Sequence, residues 1–184
     1  MTTLGEILTQ EYGVTVYTNS RTDQYTLTGR ITKAMKILNN TVGFTCSTFD
    51  LLHAGHIAML RDAKEHCDYL IVGLQTDPTI DRPGEKNTPV QTLVERYTQI
   101  RAVSYVDEII PYQTEQDLRD ILEMYHIDVR ILGDEYKEKD FTGKDTCRKR
   151  GIELHFNKRD HRFSTSDLRE RVLNAPTCKS KQTH

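Results

Sequence analysis

From Thr41 to Leu173 the chain switches repeatedly between two hydrophobic rhythms. Short apolar runs alternate with longer stretches in which apolar residues recur every three or four positions. That alternation restricts the fold to strands and helices in turn, and so to an α/β sandwich with a mostly parallel sheet of about five strands and right-handed crossovers. The strands are expected at Thr41–Cys46, Tyr69–Leu74, Val106–Ile110, Asp128–Leu132 and Ile152–Phe156. Tyr69–Leu74 reads YLIVGL, apolar on both faces, as a central parallel strand requires. Helices are expected at His53–Cys67, Thr92–Ser104, Thr114–His126 and Ser164–Leu173, with Lys137–Arg150 a mixture of loop and helix. Asp77–Pro89 holds three prolines and Gly84 and is expected to be a loop.

Residues 1–40 break the rhythm. Leu4–Tyr12 suggests a short helix, and Val14–Thr18 with Tyr25–Thr28 suggests a hairpin around Asn19–Asp23. The expected organisation is an N-terminal appendage (1–40), one domain (41–173) and a polar tail (174–184). With 27 acidic against 25 basic residues, the charge balance points to neither nucleic acid nor an acidic membrane as partner. The longest apolar runs are too short to span a bilayer. The start, MTTLGEILTQEYG, lacks the basic and apolar regions of a secretory signal. Cys46, Cys67, Cys147 and Cys178 are scattered without CxxC spacing, as expected of reduced thiols in a cytoplasmic protein.

In a parallel sheet, ligands bind beyond the carboxyl ends of the strands. After the first strand stands Ser47-Thr48-Phe49-Asp50-Leu51-Leu52-His53-Ala54-Gly55-His56. A strand-to-helix turn offers free backbone amides and the positive end of a helix dipole. His53 and His56 are three apart and project near one side of the first helical turn, with Gly55 between them permitting close approach. Two imidazoles there can donate hydrogen bonds to phosphate oxygens. The plainer alternatives are a metal pair, although zinc needs further ligands and no other His or Cys has helpful spacing, or ordinary helix-start histidines.

STFDLLHAGH resembles the GTFDxxHxGH signature of the cytidylyltransferase family of nucleotidylyltransferases. The resemblance continues in order through DYLIVGLQTD, Lys86 to Val90 with Glu95-Arg96-Tyr97, YVDEIIP, Gly133-Asp134 and the RDHRFSTS run from Arg159 to Ser166. It covers about residues 41–173 and is nearest to glycerol-3-phosphate cytidylyltransferase-like proteins. It implies a Rossmann-like three-layer fold in which CMP passes from CTP to a phosphorylated small alcohol or polyol, releasing pyrophosphate. By resemblance, His53, His56 and Lys86 are catalytic. Thr48, Phe49, Asp50, Gly55, Asp134, Arg159, Ser164, Thr165 and Ser166 bind the nucleotide, and Mg²⁺ accompanies the triphosphate. No residue is assigned as a metal ligand. A homodimer is implied as well.

Each residue also has a plainer role open to it. Asp50 could cap the first helix, and Ser164–Asp167 could cap the last. Lys86 could be a solvated lysine, Asp134 could cap a turn, and Arg96 could pair with Glu95 at the surface. His66, His126, His155 and His161 read as surface or packing residues. The sequence departs from the family at Ser47, where a glycine is usual, at Glu135, and after Arg159. Gly133-Asp134-Glu135-Tyr136-Lys137 is similar to the GDYK of adenylyltransferases that use ATP and sugar phosphates. That activity, and an inactive nucleotide-binding or assembly protein of the same fold, are the alternatives.

Overall fold

The computed structural model describes residues 21–158 and 162–176. The expected helix Leu4–Tyr12 and strand Val14–Thr18, together with Arg159, His161 and Cys178, lie outside the described residues. Five strands form one sheet: β1 (Val42–Ser47), β2 (Tyr69–Gln75), β3 (Glu108–Tyr112), β4 (Val129–Gly133) and β5 (Glu153–Asn157). All pair in parallel, in the order β3-β2-β1-β4-β5. The helices are α1 (Arg21–Ile37), α2 (Ala54–Glu65), α3 (Leu93–Arg101), α4 (Glu115–Met124), α5 (Lys144–Arg150) and α6 (Thr165–Asn174), with a 3₁₀ turn at Asp134–Tyr136.

The alternation of side chains along each strand splits the core into two layers. In β2, Tyr69 and Ile71 join Phe44, Ile121, Leu122 and Tyr125 on the side of α1, α4 and α5. Leu70, Val72 and Leu74 join Leu60, Ala63 and Ile100 on the side of α2 and α3. The expected three-layer sandwich is therefore present. The chain runs outward from β1 to β3, then returns to build β4 and β5 on the other side of β1. The strand order reverses between β1 and β4, and it is at the carboxyl ends of such a pair that open parallel sheets leave a crevice for ligands.

Two expectations need correction. Tyr25–Thr28 is not a strand but part of α1. Its Thr- and Tyr-rich composition favours a strand locally. The turns that follow bury Ile31 and pack Met35 against the core, and this propagates a helix. The third strand begins at Glu108, two residues later than expected. At Asp107 the backbone amide still donates to the Leu70 carbonyl, but the Leu70 amide is taken by the Asp107 carboxylate, which also pairs with Lys64, so the regular ladder begins at Glu108. Pro111, which has no amide hydrogen, is tolerated because β3 lies at the edge of the sheet. No helix among the described residues is long and apolar enough to cross a membrane.

Candidate nucleotide site

The turn from β1 into α2 is bent through two non-glycine residues in the left-handed region, Phe49 (φ 51°) and Leu51 (φ 49°). Each such residue costs on the order of 1–3 kcal/mol and persists only where its surroundings impose it. Here they do. The Phe49 ring is buried in the α2/α3 layer. The Leu51 amide donates to Gln91 Oε1 at 2.8 Å. Arg96, only 2% exposed, donates to the Thr48 carbonyl at 2.8 Å, to those of Gln75 and Thr76 at 2.7 and 2.6 Å, and to that of Gln91 at 3.1 Å.

Arg96 is thus a buried clamp on the ends of β1 and β2, not half of a surface pair with Glu95. Glu95 closes a capping box with Thr92 at the start of α3. That Thr-x-x-Glu spacing is the sequence signal that separates the two residues. Burial lowers the Arg96 pKa, while Asp50 and Asp77 favour its charge.

Asp50 does not cap α2. Its carboxylate accepts from the amides of Val90 (3.0 Å) and Gln91 (2.9 Å) and from Arg169 Nη2 (2.6 Å). Burial opposes its ionisation, but the Gln91 and Val90 amides and the Arg169 guanidinium together outweigh that and hold the carboxyl below the usual aspartate range. Asp50 therefore ties the turn to the start of α3 and to α6. Arg169 and Gln91 were not singled out from sequence. Thr165 and Arg169 lie four apart, and that spacing places both on the face of α6 that meets the turn.

The α2 cap is His53. Its Nδ1 accepts from the Gly55 amide at 3.1 Å, so in the neutral ring the proton sits on Nε2. Nε2 lies 3.3 Å from Thr165 Oγ1, whose hydroxyl donates to the Asp50 carbonyl. His56 stacks on His53 with ring centroids 4.0 Å apart and an angle of 20°, and its ring centroid lies 5.2 Å from that of Phe49. Gly55 is buried in the first turn of α2. The structure therefore brings His53, His56, Gly55, Thr48, Phe49, Asp50 and Thr165 together at the mouth of the sheet.

Ser164 caps α6, accepting from the Asp167 amide, and Ser166 is exposed one residue beyond Thr165. Asp134 is half-buried directly after β4, on the far side of the crevice. Lys86 is exposed on the loop after β2, and its side chain makes no hydrogen bond or ion pair with the described residues. Ser47 ends β1 in ordinary strand geometry, so a serine needs no special backbone there.

The donors gathered at the turn are imidazole and hydroxyl groups, and the turn's carboxylate, Asp50, is already engaged by two amides and a guanidinium. This is not a cage for a hard cation. It is a set of donors for anionic oxygen at a helix N-terminus.

The cytidylyltransferase-like family profile matches residues 44–171, from within β1 to within α6. The chain belongs to this family. It is 35% identical over 129 residues to glycerol-3-phosphate cytidylyltransferase of Bacillus subtilis, covering 70% of this chain and 94% of that protein. It is 34% identical over 121 residues to the bifunctional protein HldE of Granulibacter bethesdensis, covering 66% of this chain but 25% of that protein. The chain thus spans about a quarter of the HldE proteins it matches. Among solved structures, a lipopolysaccharide core biosynthesis protein from Thermoplasma volcanium superposes with a TM-score of 0.53 at 25% identity, over 67% of this chain and 99% of that one. Pantoate-beta-alanine ligase from Francisella tularensis gives 0.54 at 15% identity over 83% and 74%, a likeness of fold alone. Residues 44–171 are accordingly a cytidylyltransferase-like domain.

Proposed function

We propose that this domain transfers CMP from CTP to a small phosphorylated alcohol or polyol, such as glycerol 3-phosphate. An oxygen of the acceptor phosphate attacks the α-phosphorus, the bond from that phosphorus to the bridging oxygen breaks, and pyrophosphate leaves. No covalent enzyme intermediate is required, so catalysis reduces to positioning and charge stabilisation. The observation that carries this reading is the stacked His53–His56 pair at the α2 N-terminus, with the Gly55 amide directing the His53 proton to Nε2. That nitrogen can exchange its Thr165 partner for a phosphate oxygen. Ser164, Thr165, Ser166 and the first amides of α6 stand beside it to receive the leaving phosphates. Lys86 and Arg159 supply the positive charge that the family resemblance assigns them. A triphosphate brings Mg²⁺ with it, which would partly neutralise its charge while held mostly by phosphate oxygens and water.

A second reading, adenylyl transfer from ATP to a sugar phosphate, is favoured by the HldE similarity and by the Gly133–Lys137 run. Pyrophosphate release with CTP or ATP across a panel of phosphate esters separates the two. The CMP reading expects release with CTP and at least one polyol phosphate, and a large preference for ATP overturns it. His56→Ala should cut kcat by about 10²–10³ with the fold retained, and an unchanged rate removes the histidine from the chemistry. We also propose a homodimer, for which exposed Val94, Val172 and Leu173 offer apolar surface. Sedimentation at micromolar concentration should give twice the chain mass, and a monomer rejects this part of the reading.

A further inference from the structure

Helix α2 carries a second group of chemically capable side chains, at the opposite end from the histidine pair. Asp62 and His66 are four residues apart and so lie one above the other on the same face. Edge strand β5 crosses that face. Its Asn157 Nδ2 donates to the Met59 carbonyl at 3.1 Å. His155, two residues earlier, shares that side of the strand and meets α2 one turn further on. His155 Nε2 lies 3.2 Å from Asp62 Oδ2, and the His66 and His155 rings stack with centroids 3.6 Å apart. One ligand atom from each of Asp62, His66 and His155 can be chosen so that all lie within 4.8 Å of one another.

We propose that Asp62, His66 and His155 form a binding site for a late first-row divalent cation of the Zn²⁺ type, stapling α2 to β5. His66 Nδ1 is 2.8 Å from the Asp62 carbonyl. A carbonyl only accepts, so Nδ1 carries the proton and Nε2 keeps its lone pair. That outer contact orients and strengthens a ligating imidazole. Two imidazoles and one carboxylate suit Zn²⁺ or its neighbours rather than Mg²⁺ or Ca²⁺, which prefer oxygen. With bonds of about 2 Å, tetrahedral ligand atoms stand roughly 3.3 Å apart. Small side-chain rotations of exposed His66 and half-buried Asp62 and His155 close that gap. The cation takes the place of the hydrogen bond between His155 Nε2 and the carboxylate, with His155 in the neutral tautomer whose single proton is on Nδ1. Water fills the remaining position. The Asn157–Met59 bond sets the register of the two elements without the metal, so binding needs no refolding.

The test uses the full chain, stripped with a chelator and free of nucleotide, titrated calorimetrically with Zn²⁺ and optically with Co²⁺. One ion per chain should bind, with the visible absorption of four-coordinate Co²⁺, and saturating Zn²⁺ should raise Tm by about 5 °C or more. His66→Gln and His155→Gln should each weaken binding by at least about 100-fold, while His126→Gln, at a separate surface position, leaves it intact. The metal-free Tm of each variant separates a lost ligand from a lost fold. Should His155→Gln not fold, exposed His66 decides alone. Absence of saturable binding, or binding that survives loss of a ligand histidine, overturns the proposal. Such surviving binding would place the ion elsewhere, as at His53 and His56.

Discussion

Thr48–Leu51 and residues 83–88 follow the carboxyl ends of neighbouring strands, β1 and β2, and are built in opposite ways. In the first, Arg96, Gln91, Asp50 and the buried Phe49 ring hold the backbone in a conformation it would not adopt alone. In the second, every residue is exposed. That loop is held chiefly through backbone: the Glu85 and Lys86 amides donate to the Arg82 carbonyl, the Thr88 carbonyl accepts from Arg169, and further contacts lie at its two ends. Asp81 accepts from the Glu115 amide and Arg82 pairs with Glu115 on one side, while Val90 and Gln91 meet Asp50 on the other. A phosphoryl-transfer site needs both designs. Donors aimed at the α-phosphate must already be in place, because reorganising them during reaction raises the barrier. A cation that neutralises charge between two substrates must let them enter first. The rigid turn carries His53 and His56, and the exposed loop carries Lys86.

The sharpest way to break this contrast is to remove the clamp. Arg96→Leu leaves the carbonyls of Thr48, Gln75, Thr76 and Gln91 without their shared donor. Unfolding in urea should show a loss of about 3–5 kcal/mol. A loss below about 1 kcal/mol would mean that the turn holds its strained backbone without Arg96.

Asp50→Asn comes next. It keeps the shape but removes the charge that meets Arg169, and should cost about 1–3 kcal/mol. Its pH dependence gives a second reading. Because the folded carboxyl is held below the ordinary aspartate value of about 3.9, its contribution is complete above that pH and lost as pH falls through the lower folded value. The stabilities of wild type and Asp50→Asn should therefore converge in acid. A gap that stays constant down to low pH assigns the cost to shape and not to charge.

These two positions also mark where the sequence stops speaking. The sheet, its layers and the histidine pair were legible because they rest on local periodicity and on a motif of contiguous residues. All five strands expected between Thr41 and Phe156 formed, and one start shifted by two residues where the Asp107 carboxylate, and not its carbonyl, receives the Leu70 amide. Arg96 was not legible, because a charged residue next to a glutamate on a helix reads as a surface pair unless the capping box is noticed first. Asp50 was read as a nucleotide contact or a cap. The amides that claim its carboxylate come from Val90 and Gln91, about 40 residues away, and no local pattern predicts that meeting. Tyr25–Thr28 was misread for a related reason, since the packing of Ile31 against distant residues decides the conformation of that stretch.

Lys86→Ala should produce the smallest structural effect and so gives the cleanest separation of the two regions. The side chain is exposed and makes no hydrogen bond or ion pair with the described residues, so stability should change by no more than about 0.5 kcal/mol. Its turnover should nevertheless fall by about 10-fold or more if the ammonium stabilises charge that develops during transfer. KM for the nucleotide should move less than kcat, because a group that closes on the reacting phosphates contributes little to first capture. A variant with unchanged stability and unchanged kcat would leave His53 and His56 as the only catalytic donors supported by geometry, and the loop would become a cover without chemistry. A variant that lost stability instead would show the loop to be fastened more firmly than its exposed side chains suggest, and the contrast with the turn would fail on its structural side.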